Sequence, residues 1–155
     1  MKNALCLILF LCFSICSFAE NINPNVPDLT GEWMEVANFP DYGVLNITQN
    51  GNIIEGRYIK VGFAQEKYFG FKVGDLVLKG VIEGNQIKGQ VLLKEQPGLI
   101  QNCPEIDPSK WSEANFQIGE DKDILSGSWE QRTTDFSTCK RGWQATQDYK
   151  LKKVK

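Results

Sequence analysis

Five glycines in this chain each stand two residues after an aliphatic residue and two residues before an aromatic or aliphatic one. The five segments are Leu29-Gly31-Trp33, Ile54-Gly56-Tyr58, Leu78-Gly80-Ile82, Ile87-Gly89-Val91 and Leu125-Gly127-Trp129. Residues two apart in a strand share one face, so each glycine faces the same side as the large apolar groups. A glycine within an apolar strand face is typical of a sharp bend or a close backbone approach. The repeat therefore predicts one strongly curved or closed β-sheet.

The rest of the chain also favours strands over helices. Apolar residues alternate with polar ones over most of it, and no long run shows a helical period. The predicted strands are 29–36, 43–49, 53–61, 75–83, 86–94, 112–118, 123–131 and 143–152. A short helical turn is expected around 108–113, where Asp107 or Ser109 can cap it. We predict an all-β fold, a single antiparallel up-and-down β-barrel of about eight strands with one disulfide.

The connections between these strands alternate in length. Tight turns join strands 2–3, 4–5 and 6–7, and the first two of these turns carry Asn50-Gly51 and Gly84-Asn85, which suit a positive φ. The longer connections are 37–42, 62–74, 95–111 and 132–142. In an up-and-down meander all the longer connections lie at one end of the sheet, which we call the long-loop end.

Aromatic residues are concentrated at the long-loop end, where polar loops would be expected. They are Phe39, Tyr42, Phe63, Tyr68, Phe69, Phe71, Trp111, Phe136 and Trp143. Two interpretations remain open at this point. Either the long loops fold over and fill the barrel with their own aromatics, or the aromatics line the mouth of a ligand site.

The first residues have the pattern of a secretory signal. Lys2 precedes an apolar run from Ala4 to Phe13, and Ser17-Phe18-Ala19 offers the small residues that a signal peptidase needs. We expect a signal peptide at 1–19, an N-terminal extended segment at 20–28 and the barrel domain at 29–155. The apolar run is too short for a membrane span and the mature chain has no transmembrane segment, so we expect a secreted or periplasmic protein.

Cleavage after Ala19 would leave Cys103 and Cys139 as the cysteines of the mature chain. An even pair in an exported protein favours a disulfide. The two residues fall in connections 5–6 and 7–8, both at the long-loop end, so the bond is geometrically reasonable. A lipoprotein beginning at Cys16 is the alternative, but Ile15 stands where a small residue is expected.

Composition excludes several classes of function. The chain has no histidine, which excludes Ser-His-Asp and Cys-His catalytic sites and the usual histidine-containing zinc site. No phosphate loop or dinucleotide fingerprint occurs, because the glycines are spread one per strand. The net charge is −2, and without a large basic surface a nucleic-acid partner is not expected. We expect no enzyme activity, no metal and no cofactor, although the many carboxylates leave an acid pair of glycosidase type open.

Continuing the inward face of the strands toward the long-loop end brings in polar residues. Two residues beyond Trp33, Tyr58, Leu93 and Trp129 stand Glu35, Lys60, Glu95 and Gln131, and Arg141 stands two before Trp143. An inward charge costs free energy unless it is paired or hydrated. These residues therefore either form a hydrated or salt-linked rim or meet a polar group of a ligand.

Short motifs resemble the small calycin-type barrels, among them avidin-like and lipocalin-like exported bacterial proteins. The resemblance rests on Leu29-Thr30-Gly31-Glu32-Trp33, on Gly56-Arg57-Tyr58, on Gly127-Ser128-Trp129 and on Trp143-Gln144-Ala145-Thr146. It implies an eight-stranded barrel that holds a ligand at one end. At two positions where the avidin-like pattern has ligand-contacting residues this chain has Glu35 and Lys60, so the resemblance does not imply biotin binding. The chain also ends in a strand, where a lipocalin has a helix.

These patterns predict a non-enzymatic binding module that holds a small or amphipathic ligand at the long-loop end. The expected ligand-binding residues are Trp33, Glu35, Tyr58, Lys60, Phe69, Trp129, Gln131, Arg141 and Trp143. The alternative is a protein-interaction or inhibitor domain whose disulfide-tied loops dock onto an exported protein.

Overall fold

The structure, a computed structural model, describes residues 26–36 and 42–154. Eight antiparallel strands close into one barrel in the order β1 to β8, with each strand paired to its neighbours in sequence and β8 paired to β1. The strands are β1 Gly31–Glu35, β2 Val44–Asn50, β3 Ile53–Lys60, β4 Leu76–Glu83, β5 Gln86–Lys94, β6 Ser109–Ile118, β7 Ile124–Thr134 and β8 Arg141–Lys153. The predicted all-β barrel is confirmed. The predicted signal peptide and Phe39 lie outside the described residues.

One local prediction was wrong. Residues 108–113 do not form a helical turn, because β6 already begins at Ser109. Its first half is paired along β5, from Ser109 opposite Lys94 to Glu113 opposite Gln90. Pairing with a neighbouring strand outweighs the weak local capping signal here, which is the usual result when tertiary contacts compete with propensity.

Three glycines of the repeat, Gly80, Gly89 and Gly127, lie where a neighbouring backbone approaches closely. Gly80 and Gly89 lie opposite each other in the β4–β5 ladder. A Cβ atom on Gly89 would overlap the carbonyl oxygen of Lys79, and one on Gly127 would overlap the carbonyl oxygen of Asn115. These positions admit no side chain, which explains why glycine interrupts an otherwise apolar inward face.

Inward residues from all eight strands form the core of the barrel. Trp33, Ile47, Ile54, Ile87, Leu125 and Leu151 are among those fully buried. Trp33 anchors the start of the barrel, because its indole Nε1 donates a hydrogen bond to the carbonyl oxygen of Leu29 across 2.7 Å. The core is continuous through the end of the barrel where the tight turns lie.

Two short helices lie in the long connections. Helix α1 spans Phe63–Phe69 between β3 and β4, and helix α2 spans Pro97–Asn102 between β5 and β6. No helix among the described residues is long and apolar enough to cross a membrane. Cys103, directly after α2, forms a disulfide with Cys139 in the β7–β8 connection, as predicted. Leu99, Cys103 and Ile106 form a small second core around this bond.

The β6–β7 seam is paired over only half its length. The ladder runs from Ala114–Trp129 to Ile118–Leu125. Beyond it toward the long-loop end, residues 109–113 pair only with β5 and residues 130–134 only with β8. We call this opening the β6–β7 gap. Just beyond the Ala114–Trp129 end of the ladder, Ser112 Oγ donates a hydrogen bond to the carbonyl oxygen of Glu130, with 2.9 Å between the two oxygens.

Candidate functional site

Glu35 is the buried charged residue of the described barrel, with 4% of its surface exposed. Its Oε1 accepts hydrogen bonds from the hydroxyl groups of Tyr58 at 2.7 Å and Tyr149 at 2.6 Å. Its Oε2 accepts from Gln65 Nε2 at 2.8 Å and from the backbone N–H of Gly43 at 3.0 Å. Four donors thus surround a group that, as a carboxylate, can only accept.

Five separate parts of the chain supply this arrangement. Glu35 ends β1, two residues after the buried Trp33 on the same face. Tyr58 lies near the end of β3 and Tyr149 in β8, while Gln65 reaches down from helix α1. Gly43 precedes β2, and a Cβ atom there would lie 2.8 Å from Glu35 Oε2, so glycine lets the backbone N–H approach the carboxylate.

The two tyrosines are held in their neutral, donating form. Burial is the main cause that raises the pKa of Tyr58 above its usual range, and the neighbouring Glu35 charge adds to it. The pKa of Tyr149 is raised well above its usual range for the same two reasons, again with burial first. Ionisation of either phenol would place a second negative charge beside the buried carboxyl group.

A cavity of about 170 Å³ lies beside Glu35 at the long-loop end and is partly open to solvent. Apolar and aromatic side chains form most of its wall: Leu45, Phe69, Phe71, Val77, Leu78, Val91, Leu92, Leu93 and Trp129. The polar part of the wall comes from Glu35, Tyr58, Gln65, Lys94, Gln131 and Tyr149. The long loops therefore do not fill the barrel completely.

The ammonium group of Lys94 in this wall is already paired. Its Nζ lies 2.6 Å from Asp75 Oδ2 and 3.2 Å from the carbonyl oxygen of Gly70. It also lies 4.8 Å from the centre of the Phe71 ring. Partial burial of Asp75 acts to raise its pKa, but hydrogen bonds from Lys94 and the Lys72 backbone outweigh this effect and the pKa is lowered.

The structure brings some of the predicted ligand-binding residues together and places others elsewhere. Glu35, Tyr58, Phe69, Trp129 and Gln131 line the 170 Å³ cavity.

The other predicted residues lie outside this cavity wall. Trp33 is buried in the core, and Trp143 is 69% exposed on β8. Lys60 is exposed at the end of β3, with its Nζ 5.5 Å from the centre of the Tyr42 ring. Arg141 lines a second cavity, described below.

Sequence reasoning missed Gly43, Gln65, Lys94 and Tyr149 as members of this site. Tyr149 had a signal, because it shares the alternating inward face of Ala145 and Leu151. Gln65 had none: it belongs to a seven-residue helix that begins after Gly62 without a side-chain cap.

A second, more polar cavity of about 550 Å³ lies at the β6–β7 gap. It contains three cations, Lys110, Arg132 and Arg141, together with Glu113 and Glu130. Partial burial, followed by the charge of Arg141, lowers the pKa of Lys110. Trp129 is among the lining residues of both cavities.

Comparison with known proteins found no match to this chain among protein-family models, curated protein sequences or solved structures. The eight-stranded antiparallel closed barrel is consistent with the calycin-type resemblance of the sequence motifs.

Proposed function

We propose that this protein is an exported, non-enzymatic binding module that holds one small, mostly apolar molecule at the long-loop end of the barrel. The observation that carries the proposal is the 170 Å³ cavity with aromatic walls beside the buried Glu35. Apolar cavities with a few convergent polar groups are the usual form of a small-molecule site. Export is supported by the Cys103–Cys139 disulfide and by the predicted signal sequence.

The cavity volume limits the ligand. Sites for drug-sized molecules usually measure about 300–1,000 Å³, whereas a cavity of about 150 Å³ accommodates benzene. At 170 Å³, this cavity suits a single ring with few substituents. A long amphipathic molecule would have to leave most of its length outside.

Native mass spectrometry of protein purified from its own host tests the proposal. We expect a bound small molecule that is lost on denaturation. The variant Val91→Phe, which enlarges a buried side chain of the cavity wall, should abolish this extra mass. Val81→Phe is the matched control, because Val81 is 36% exposed on the neighbouring strand. Protein without bound mass that also fails to bind any ring-sized probe would contradict the proposal.

A protein-interaction domain is the second candidate, and the β6–β7 gap is the observation that favours it. Residues 109–113 and 130–134 each leave one edge of their strand without a ladder partner. Such edges can accept an additional strand from another protein. In the same mass-spectrometry experiment, a bound polypeptide mass instead of a small one would favour this candidate.

A further inference from the structure

The edge of β6 that faces the β6–β7 gap presents backbone groups without a strand partner. Successive residues of a strand direct their N–H and C=O groups to opposite neighbours. The N–H of Ile118 bonds Asn85, directly before β5, and the N–H of Gly119 bonds Ile124 of β7. Odd-numbered residues of β6 therefore face β7. At Trp111 this side has no partner in a neighbouring strand, because the β6–β7 ladder ends at Ala114–Trp129.

The facing edge of β7 is less suited to pairing. The carbonyl oxygen of Glu130 already accepts a hydrogen bond from Ser112 Oγ, and the register of β7 shifts between Arg132 and Thr134. A shift of this kind interrupts the regular row of backbone donors and acceptors. The pairing of β6 with β5 shows no such shift over 109–113, so β6 provides the regular edge of the gap.

The side chain of Trp111 does not cover this edge. The centre of its ring lies 4.3 Å from Lys79 Nζ on β4, and β4 lies beyond β5 as seen from the gap. The indole is therefore turned away from the opening. Residues 109–113 form an edge about 17 Å long, beside a cavity of about 550 Å³. An edge of this length can pair with a short extended segment.

Three cations at the gap have no acidic partner. Lys110, Arg132 and Arg141 line the cavity, and none of them forms an ion pair with an acid in the part of the chain that the structure describes. The charges of Arg141 and Arg132 both act on Lys110, and the charge of Glu95 acts in the opposite direction. The three positive groups thus lie close enough to repel one another, and an anion among them would relieve that repulsion.

The acids of the gap lie at its narrow end. Glu113 and Glu130 come directly after the last ladder pair, Ala114–Trp129. Gln90 Nε2 on β5 donates a hydrogen bond to Glu113 Oε1 at 2.6 Å, which holds this carboxylate toward β5. The three cations lie further along their strands toward the long-loop end, where Arg141 pairs with Thr134. That part of the gap has an excess of positive charge.

Resting on the second candidate function, the protein-interaction domain, we infer that the β6–β7 gap binds an extended acidic segment of a partner protein. The segment pairs its backbone with residues 109–113 of β6, and its carboxylates lie among Lys110, Arg132 and Arg141. In this mode of recognition the main-chain hydrogen bonds supply affinity and the side chains select the partner. The 170 Å³ cavity beside Glu35 takes no part in it.

Calorimetric titration of the full mature protein with capped hexapeptides tests this inference. The acidic peptide alternates glutamate with threonine, and glutamine or lysine replaces glutamate in the neutral and basic peptides. A fourth peptide is the acidic one with every backbone nitrogen methylated, which keeps the charges and removes the N–H donors. Tricarballylate supplies three carboxylates without a backbone. We expect the acidic peptide to bind at least about tenfold more tightly than each of the other probes.

Variants and hydrogen exchange locate the site. Arg132→Gln/Arg141→Gln should weaken binding of the acidic peptide about tenfold, because two ion pairs are lost. Lys150→Gln/Lys152→Gln is the matched control: it removes two charges from exposed positions on β8 and should leave the affinity within about twofold. Thermal unfolding of both variants establishes that the barrel is intact. In the complex, backbone amide exchange should slow in 109–113 more than in 130–134.

The outcomes separate this inference from the second candidate function. Binding of the neutral or basic peptide as tightly as the acidic one, or an equal loss of affinity in the two double variants, would overturn the acidic segment and leave the gap as an interaction site. Equal binding of the methylated peptide or of tricarballylate, or unchanged exchange in 109–113, would overturn pairing with β6. Failure of every peptide would overturn both the inference and the second candidate function.

Discussion

Tyr149 on the last strand donates its hydroxyl hydrogen to Oε1 of Glu35 on the first strand, with 2.6 Å between the oxygens. The two residues are 114 positions apart in sequence. They lie at the seam that closes the barrel, where β1 and β8 are paired at Trp33–Lys153, Met34–Lys152 and Glu35–Leu151. The side-chain hydrogen bond thus reinforces a short backbone ladder.

Removing this hydrogen bond should destabilise the barrel measurably. We expect Tyr149→Phe to lower the free energy of unfolding by about 2 kcal/mol, because a buried hydrogen bond to a charged group is lost. Denaturant unfolding followed by tryptophan fluorescence measures the effect. Tyr68→Phe, at a residue that is 49% exposed, is the matched control and should change stability by less than about 0.5 kcal/mol.

A double-mutant cycle tests whether Tyr149 acts through Glu35. In a Glu35→Gln background the cost of Tyr149→Phe should fall, because the hydroxyl no longer bonds a carboxylate. An equal cost in both backgrounds would show that ring packing, rather than the hydrogen bond, accounts for the effect.

High pH should weaken the fold through Tyr58 and Tyr149. Both have a pKa raised above the usual value, mainly by burial. The unfolded chain therefore loses these protons above about pH 10 while the folded barrel keeps them. The stability they contribute is complete below that pH and is lost as the pH rises further.

The expected slope can be measured. Each retained proton lowers the free energy of unfolding by about 1.4 kcal/mol per pH unit above pH 10. Urea unfolding between pH 9 and 11 should show a shallower decline in Tyr58→Phe and in Tyr149→Phe than in the parent protein. Parallel declines would mean that the phenols ionise in the folded state, and phenolate absorbance of the folded protein would then include them.

The fold was more predictable from the sequence than the site was. Apart from the first residues of β6, the strands follow from alternation and from the glycine repeat, because both patterns show which side chains of a strand share a face. Tyr149 shares an alternating face with Ala145 and Leu151, but the alternation gives its side of the sheet and not its distance from Glu35. Gln65 and Gly43 enter the site from loops, where the position depends on tertiary packing and carries no periodic signal.

The glycine repeat makes a direct prediction about packing. We expect Gly89→Ala to lower the free energy of unfolding by about 3 kcal/mol, because the new methyl group would overlap the rigid backbone of Lys79 in the facing strand. Gly98→Ala is the control, since the nearest atom to its Cβ would be a ring carbon of Phe136 at 3.8 Å. Alanine at that helical position should be neutral or stabilise by up to about 1 kcal/mol. Thermal and chemical unfolding that ranks the two variants the other way round would contradict the β4–β5 register.

The disulfide should stabilise the wall of the barrel at the β6–β7 gap, where β6 and β7 are not paired with each other. Cys103 and Cys139 are 36 residues apart, and closing a loop of that length contributes about 4 kcal/mol on a chain-entropy basis. The variant Cys103→Ala/Cys139→Ala should lose about this much stability. Hydrogen exchange should rise first in 109–113 and 130–134, because those segments have one ladder partner each. β2 and β3 lie on the opposite side of the barrel. If their backbone amides lose as much protection from hydrogen exchange as those at the gap, the disulfide stabilises the whole fold and the gap is no weaker than the rest of the wall.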